Sequence, residues 1–325
     1  MDRLSVKLGA ALALQLVIAA IIWGFGTDNA AFKAKDPLLA FDPAKIDRIE
    51  IDETAANSVT LEKKDGAWII PAMADFPADG TKVSGLLSKL AALKKGWPVA
   101  SSSEAAKRFK VTDDTHERRI VLKSGGPAIG EILAGTSPTF RQAHVRAGND
   151  SNVYSGAFAL YDAGVRGEDW MDRGLLNIPQ DKIASVAIGG VTLERKDGKF
   201  NLAGLAEGEK QDDTAIYRLI GALSYPSFDA VAGKGPEALA KLDQPSIEAT
   251  IKKSDGGTVL LKYKQEPAGG AYLFASSANG YVFRVSEASI EPIVKAKRET
   301  LIQAPKKPEA QAATQPGEVQ PPNGG

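Results

Sequence analysis

A chain of 325 residues exceeds one typical domain and points to two, and its 43% hydrophobic content leaves ample apolar surface for more than one core. Lys+Arg and Asp+Glu both number 40, so the formal net charge is zero and no long-range field steers the chain onto DNA or RNA; nucleic acid is not an expected partner. Cysteine is absent, which excludes disulfides, cysteine metal sites, a thiol nucleophile and lipoprotein acylation.

The first element is the run Leu8 to Phe25, LGAALALQLVIAAIIWGF, which carries no charge and one Gln. As a helix rising about 1.5 Å per residue it covers roughly 27 Å, close to the hydrocarbon thickness of a bilayer. Arg3 and Lys7 precede it, so residues 1–7 read as a cytoplasmic flank, 8–25 as a transmembrane anchor and the remainder as exported. Trp23 near the far end suits the headgroup region. The alternatives are a cleaved signal peptide and a buried core helix. The apolar run is longer than a signal h-region of about 7–15 residues, and Gly26 to Ala31 match a cleavage site poorly. Residues 26–43 read as a linker.

The body of the chain is an internal repeat. Val59-Thr60-Leu61-Glu62-Lys63-Lys64-Asp65-Gly66-Ala67-Trp68 returns as Val191-Thr192-Leu193-Glu194-Arg195-Lys196-Asp197-Gly198-Lys199-Phe200, with seven of the ten positions identical. Upstream, Ile46, Ile49 and Ile51 match Ile183, Val186 and Ile188, and Gly189-Gly190 makes a tighter turn in the second copy. Alternation of Val59, Leu61 and Lys63 against Thr60 and Glu62 predicts a half-buried strand. Asp-Gly then supplies the positive φ angles of a two-residue hairpin turn, and Trp68 or Phe200 starts the return strand facing the core. Each copy therefore opens with a three-stranded antiparallel meander.

A helix follows in each. Asp79 is a plausible N-cap for the stripe Val83, Leu86, Leu87 and Leu90, and Ile216, Leu219, Ile220 and Leu223 repeat that spacing after Asp212 and Asp213. Val99-Ala100 corresponds to Val231-Ala232. Strands are predicted at Arg119 to Lys123 and Glu248 to Lys252, each leading to a Gly-Gly turn. Further strands at Ala143 to Arg146 and Val153-Tyr154 are matched by Ala271 to Phe274 and Tyr281 to Val285. Each copy closes with a helix, ending near Leu175-Leu176 and Leu301-Ile302. The fold class is α+β, with tandem repeats over 44–178 and 180–303 joined at Pro179, each an antiparallel sheet with packed helices. Residues 304–325, rich in Pro, Gln, Ala and Gly, lack the apolar side chains to offset ordering entropy and are expected to be disordered.

Candidate chemistry is sparse. The two histidines are His116 and His144. His116 lies in Asp113-Asp114-Thr115-His116-Glu117, read as a solvated turn, since a calcium loop needs six to eight oxygens in a defined spacing with a central Gly. His144 alternates with Val145 and Arg146 in a strand. A zinc site needs three or four ligands, which here would require carboxylates brought from afar. A Ser-His-Asp arrangement built in space stays open, although no G-x-S-x-G or S-x-x-K motif is present. Gly125-Gly126-Pro127 and Gly256-Gly257 lack the P-loop's Lys-Ser/Thr and fit hairpin turns. Lys107, Arg108, Lys110, Arg118 and Arg119 read as solvated faces. No catalytic, cofactor-binding or metal-ligating residue is assigned, no cofactor is expected, and the chain is read as a non-enzyme.

Three motifs in order, Asp65-Gly66-Ala67-Trp68, Pro77-Ala78-Asp79 and Trp170-Met171-Asp172-Arg173-Gly174-Leu175-Leu176, resemble the bacterial "domain of unknown function 4340" family. The likeness covers about residues 44 to 303. The second copy departs from the pattern: Phe200 replaces Trp, Gln211-Asp212-Asp213 replaces Pro-Ala-Asp, and the closing Trp is missing. The resemblance implies an N-terminal helix in the bacterial inner membrane, with the N-terminus cytoplasmic and the domains periplasmic. It also implies a setting similar to that of auxiliary subunits of ABC-type gliding-motility transporters, and it carries no catalytic residues. The expected function is a membrane-tethered extracytoplasmic accessory or scaffold protein of an ABC-type transport or envelope complex, with a protein partner such as ABC-type permease components. The alternatives are a ligand-binding module with its site between the repeats, and an envelope hydrolase.

Overall fold

The structure is a computed structural model and describes residues 12–17, 36–54 and 57–303. The flank 1–7, most of the anchor 8–25, the start of the linker and the tail 304–325 lie outside the described residues. Within the span expected to be an anchor, 12–17 is helical, with Leu12, Leu14, Leu16 and Val17 exposed. Among the described residues no helix is long and apolar enough to cross a membrane. The rest is α+β, with two large antiparallel sheets and few helices, in two compact units: one takes the chain up to Leu175 together with Asp229–Lys234, the other Leu176–Phe228 and the chain from Gly235 on.

In the first unit β1 (Arg48–Asp52), β2 (Ser58–Lys64) and β3 (Ala67–Ile70) form the meander, and β4 (Phe76–Pro77) extends it. Then come α1 (Gly80–Ala92), α2 (Ser103–Arg108), a small hairpin of β5 (Val111–Thr112) and β6 (Thr115–His116), and β7 (Arg118–Lys123), β8 (Ala128–Ala134), β9 (Ala143–Ala147) and β10 (Tyr154–Gly156). The sheet order is β10-β9-β8-β7-β1-β2-β3-β4. The hairpin turn between β2 and β3 places Asp65 at φ 51 and Gly66 at φ 84, the doubly left-handed geometry that matches strand twist. Val59, Leu61, Trp68 and Ile70 are buried, and so is the predicted stripe of α1, whose N-cap Asp79 accepts from the N–H groups of Thr81 and Lys82.

The opposite face of this sheet is a ladder of charges paired across strands. Glu50 on β1 accepts from Arg48 and from Lys123 of β7, both at 2.8 Å, and Arg119 of β7 pairs with Glu131 of β8 at 2.8 Å. Burial pushes the Glu50 carboxyl up, but the bonds from Lys123 and Arg48 outweigh it and hold the group below the usual carboxylate range.

The second sheet and its helices repeat the plan with β11 (Ile183–Ile188), β12 (Val191–Lys196), β13 (Lys199–Leu202), α3 (Asp213–Ser224), β14 (Ala230–Lys234, which is counted with the first unit), α4 (Pro236–Ala240), β15 (Ile247–Lys253), β16 (Thr258–Gln265), β17 (Ala271–Ser276) and β18 (Tyr281–Ser286). The order β13-β12-β11-β15-β16-β17-β18-β14 places the strands that follow each helix on the same side of the meander as in the first sheet. Asp197 at φ 51 and Gly198 at φ 79 repeat the hairpin turn, and Phe200 is buried. The core is aromatic: Tyr263 stacks on Phe274 at 5.2 Å between centroids, and Phe274 on Phe283 at 5.0 Å.

Structure and sequence differ at several elements. Strands β8 and β16 are absent from the sequence reading, because Gly130-Glu131 interrupts the apolar alternation of β8 and Gly-Gly marks only where each turn begins. The first copy does not close with an α-helix. Leu160–Asp162, Gly167–Asp169 and Arg173–Leu176 are 3₁₀ turns, wound around the fully buried Trp170, whose Nε1 donates to the Gly164 carbonyl at 2.9 Å. The second closes with two short helices, α5 (Glu291–Val294) and α6 (Arg298–Leu301). The structural counterpart of Leu301-Ile302 is Trp170-Met171 rather than Leu175-Leu176. Asp79 N–H bonds the Trp170 carbonyl and Asp212 N–H the Leu301 carbonyl, both at 2.8 Å, and Ala78 bridges Met171 as Gln211 bridges Ile302.

Candidate functional site

The two histidines hold the fold of the first unit together. His116 is not in a solvated turn: fully buried Val111 draws the β5–β6 hairpin down with Leu133 in a small apolar cluster, and the His116 ring is buried with it. Its Nε2 lies 2.9 Å from Asp52 Oδ1 and its Nδ1 3.2 Å from the Thr112 carbonyl. Its backbone N–H donates to Thr54 Oγ1 at 2.8 Å, and that hydroxyl donates to the His116 carbonyl at 2.7 Å. His144 stacks on Phe109 at 4.1 Å, with Nδ1 2.9 Å from both the Thr136 hydroxyl and its carbonyl. Among the described residues neither ring hydrogen-bonds to a serine. No group of three or more potential ligands stands together as a metal site would require, among those residues.

A concavity lies in the second unit. It encloses about 510 Å³ between α4 with the loop after it, the outward face of β16 and β17, and the turn leading to β18. Leu239, Leu242 and Leu260 supply apolar wall, Ala275 and Lys262 the floor, and Asp243, Ser277 and Asn279 polar groups. Asn279 Oδ1 accepts the Tyr281 N–H at 3.1 Å, which fixes the amide and leaves Nδ2 buried in the wall without a partner among the described residues.

The first unit shows how this space arises. Strand register makes Lys262 and Ala275 a cross-strand pair, and the equivalent pair in the first sheet is Leu133 and Arg146. The following turns agree: Gly148 N–H bonds the Glu131 carbonyl as Ser277 N–H bonds that of Leu260, and Asp150 N–H bonds the Ala147 carbonyl as Asn279 N–H bonds that of Ser276. Arg146 fills its site. Nε donates to the Val111 carbonyl at 2.6 Å, Nη1 to the carbonyls of Gly148 and Asp150 at 3.2 and 3.1 Å, and Nη2 meets Asp113 at 3.3 Å. Ala275 in the second unit has no such side chain, and the carbonyls of Ser277 and Asn279 have no donor among the described residues. Lys262 likewise makes no ion pair or side-chain hydrogen bond among them.

None of the pocket residues stands out in the sequence. The sequence repeat sets Ala143 to Arg146 on Ala271 to Phe274, whereas the sheet registers shift the match by one residue and put Arg146 on Ala275. A signal existed, the loss of one strand cation between copies, but the one-residue offset hid it.

These features define a protein of two antiparallel-sheet modules, with its histidines engaged in structural contacts and a pocket on the outer face of one sheet. The chain belongs to the family described as "Domain of unknown function (DUF4340)", whose model matches residues 68–245. No curated protein and no solved structure matches it.

Proposed function

We propose that this chain is a non-enzymatic accessory or scaffold protein, tethered to the bacterial inner membrane by Leu8 to Phe25, whose modules face the periplasm and serve an ABC-type transport or envelope complex. Its partner is a protein of that complex, such as a permease component. The observation that carries the reading is the duplicated sheet module behind an uncharged apolar run flanked by Arg3 and Lys7, with both histidines committed to holding the first module together. A tagged full-length chain purified from membranes in mild detergent is expected to bring down permease and ATPase subunits. Recovery of the chain alone, or a carboxyl-terminal reporter active only in the cytosol, would overturn it.

A second reading, a ligand-binding module, is favoured by the pocket of the second unit, whose volume lies within the roughly 300–1,000 Å³ of small-ligand sites. It places the site inside one module.

A further inference from the structure

We propose that the pocket of the second unit binds a short peptide with an apolar side chain and free termini. The first unit displays what such a site needs to be filled. There, the site is closed from within by Arg146, whose N–H groups satisfy the carbonyls of Val111, Gly148 and Asp150. The second unit keeps the turn that presents the equivalent carbonyls, Ser277 and Asn279, but Ala275 supplies nothing to meet them. An occupant that brings N–H donors would meet these carbonyls as Arg146 meets theirs.

Charge narrows the class. The exchange of Leu133 for Lys262 moves a cation onto the pocket floor, where no acceptor of the described chain meets it. Lys262 is a half-buried residue that lines the same pocket as Leu260 and Leu242 and has no counter-charge among the described residues, so a carboxylate is the complementary group. Asp243 stands in the loop after α4 as the opposite charge, with no ion pair of its own among the described residues, while its backbone carbonyl holds Lys264 Nζ at 2.8 Å. A simple anion would pair with Lys262 alone and use neither the exposed Asp243 nor the carbonyls, and a simple cation would be repelled by Lys262. A zwitterion with N–H groups answers both. The wall of Leu239, Leu242 and Leu260 then takes an apolar side chain, and about 510 Å³ holds two or three residues.

This inference does not depend on the accessory role, and a titration of the purified chain separates the failure of one from the failure of the other. The probe is the dipeptide Leu-Leu, titrated by calorimetry and thermal melting into the full-length chain in mild detergent. Leu-Leu is expected to raise Tm and bind with Kd below about 1 mM. Its acetylated, amidated form, which lacks both charges, is expected to bind at least about tenfold more weakly, about 1.4 kcal/mol. Free leucine binding as well as Leu-Leu would assign the same site to amino acids, and weaker binding would assign it to peptides. In Ala275→Arg the plug of the first unit is restored, so the response to Leu-Leu should vanish while the variant itself melts higher. Should that variant fail to fold, Lys262→Met carries the test, with a loss of about tenfold for Leu-Leu and none for its amidated form. Absence of any response to Leu-Leu in the unmodified chain, or an undiminished response in a folded variant, overturns the proposal.

Discussion

Gln211 Nε2 stands 3.2 Å from the carbonyl oxygen of Phe200, and its Oε1 accepts the Leu202 N–H at 2.9 Å. In the first unit the carbonyl equivalent to that of Phe200 belongs to Trp68, and it accepts the backbone N–H of Ala78 at 2.8 Å. A side-chain amide in one copy thus does for β13 what backbone does for β3. Its donor and acceptor cover part of a sheet edge that would otherwise be open to another strand.

Gln211 Nε2 also donates to Asp213 Oδ1 at 2.6 Å, so replacing Gln211 by alanine removes three side-chain bonds and should lower the stability of the second unit by about 1–2 kcal/mol. Glu at this position should cost more at neutral pH, because it loses the donor and sets a carboxylate against the Phe200 carbonyl. Urea melts compare the variants, and an unchanged midpoint in Gln211→Ala would show that water replaces the amide in full.

The two helix caps are unequal. Asp79 accepts two N–H groups, from Thr81 and Lys82, whereas Asp212 accepts one, from Ala215. Asp79→Ala is therefore expected to cost more than Asp212→Ala, each within about 0.5–2 kcal/mol. Equal losses in paired thermal melts would contradict the count of cap bonds.

Tyr263 buries a hydroxyl with no partner among the described residues, and burial pushes its phenol above the ordinary value near 10. Tyr263→Phe keeps the stack on Phe274 and removes the unmet group, so stability should hold or rise, by up to about 1 kcal/mol. The pH dependence follows from the sign of the shift. Above about pH 10 the unfolded chain releases the proton that the folded chain retains, so this tyrosine makes stability fall as pH rises. The parent chain should lose stability faster than Tyr263→Phe on that alkaline limb, and parallel curves would place the phenol in contact with solvent.

Arg146→Ala should open in the first unit the space that the second already has. It removes a guanidinium bonded to three carbonyls and Asp113, at an expected cost of about 2–3 kcal/mol. Arg146→Lys keeps the charge but not the planar fork, so it should recover only part of the loss. Denaturant midpoints of the two variants check both statements, and a full recovery by lysine would show that charge alone matters.

The repeat, the Asp-Gly hairpins, the two capped helices and most strands were legible in the sequence because each is written in neighbouring residues. Period, turn chemistry and cap need no knowledge of distant partners. The family likeness was legible for the same reason, in Asp65-Gly66-Ala67-Trp68 and the residues around Trp170. What the tertiary structure alone decided depends on residues brought together from afar. His116 is buried because Val111 draws its hairpin down with Leu133, and its ring then meets Asp52, far away in the chain. Gln211 covers an edge only because Phe200 and Leu202 run beside it. The pocket exists because sheet register sets Ala275 where the other copy has Arg146, and a slip of one residue in matching the strands erases that relationship.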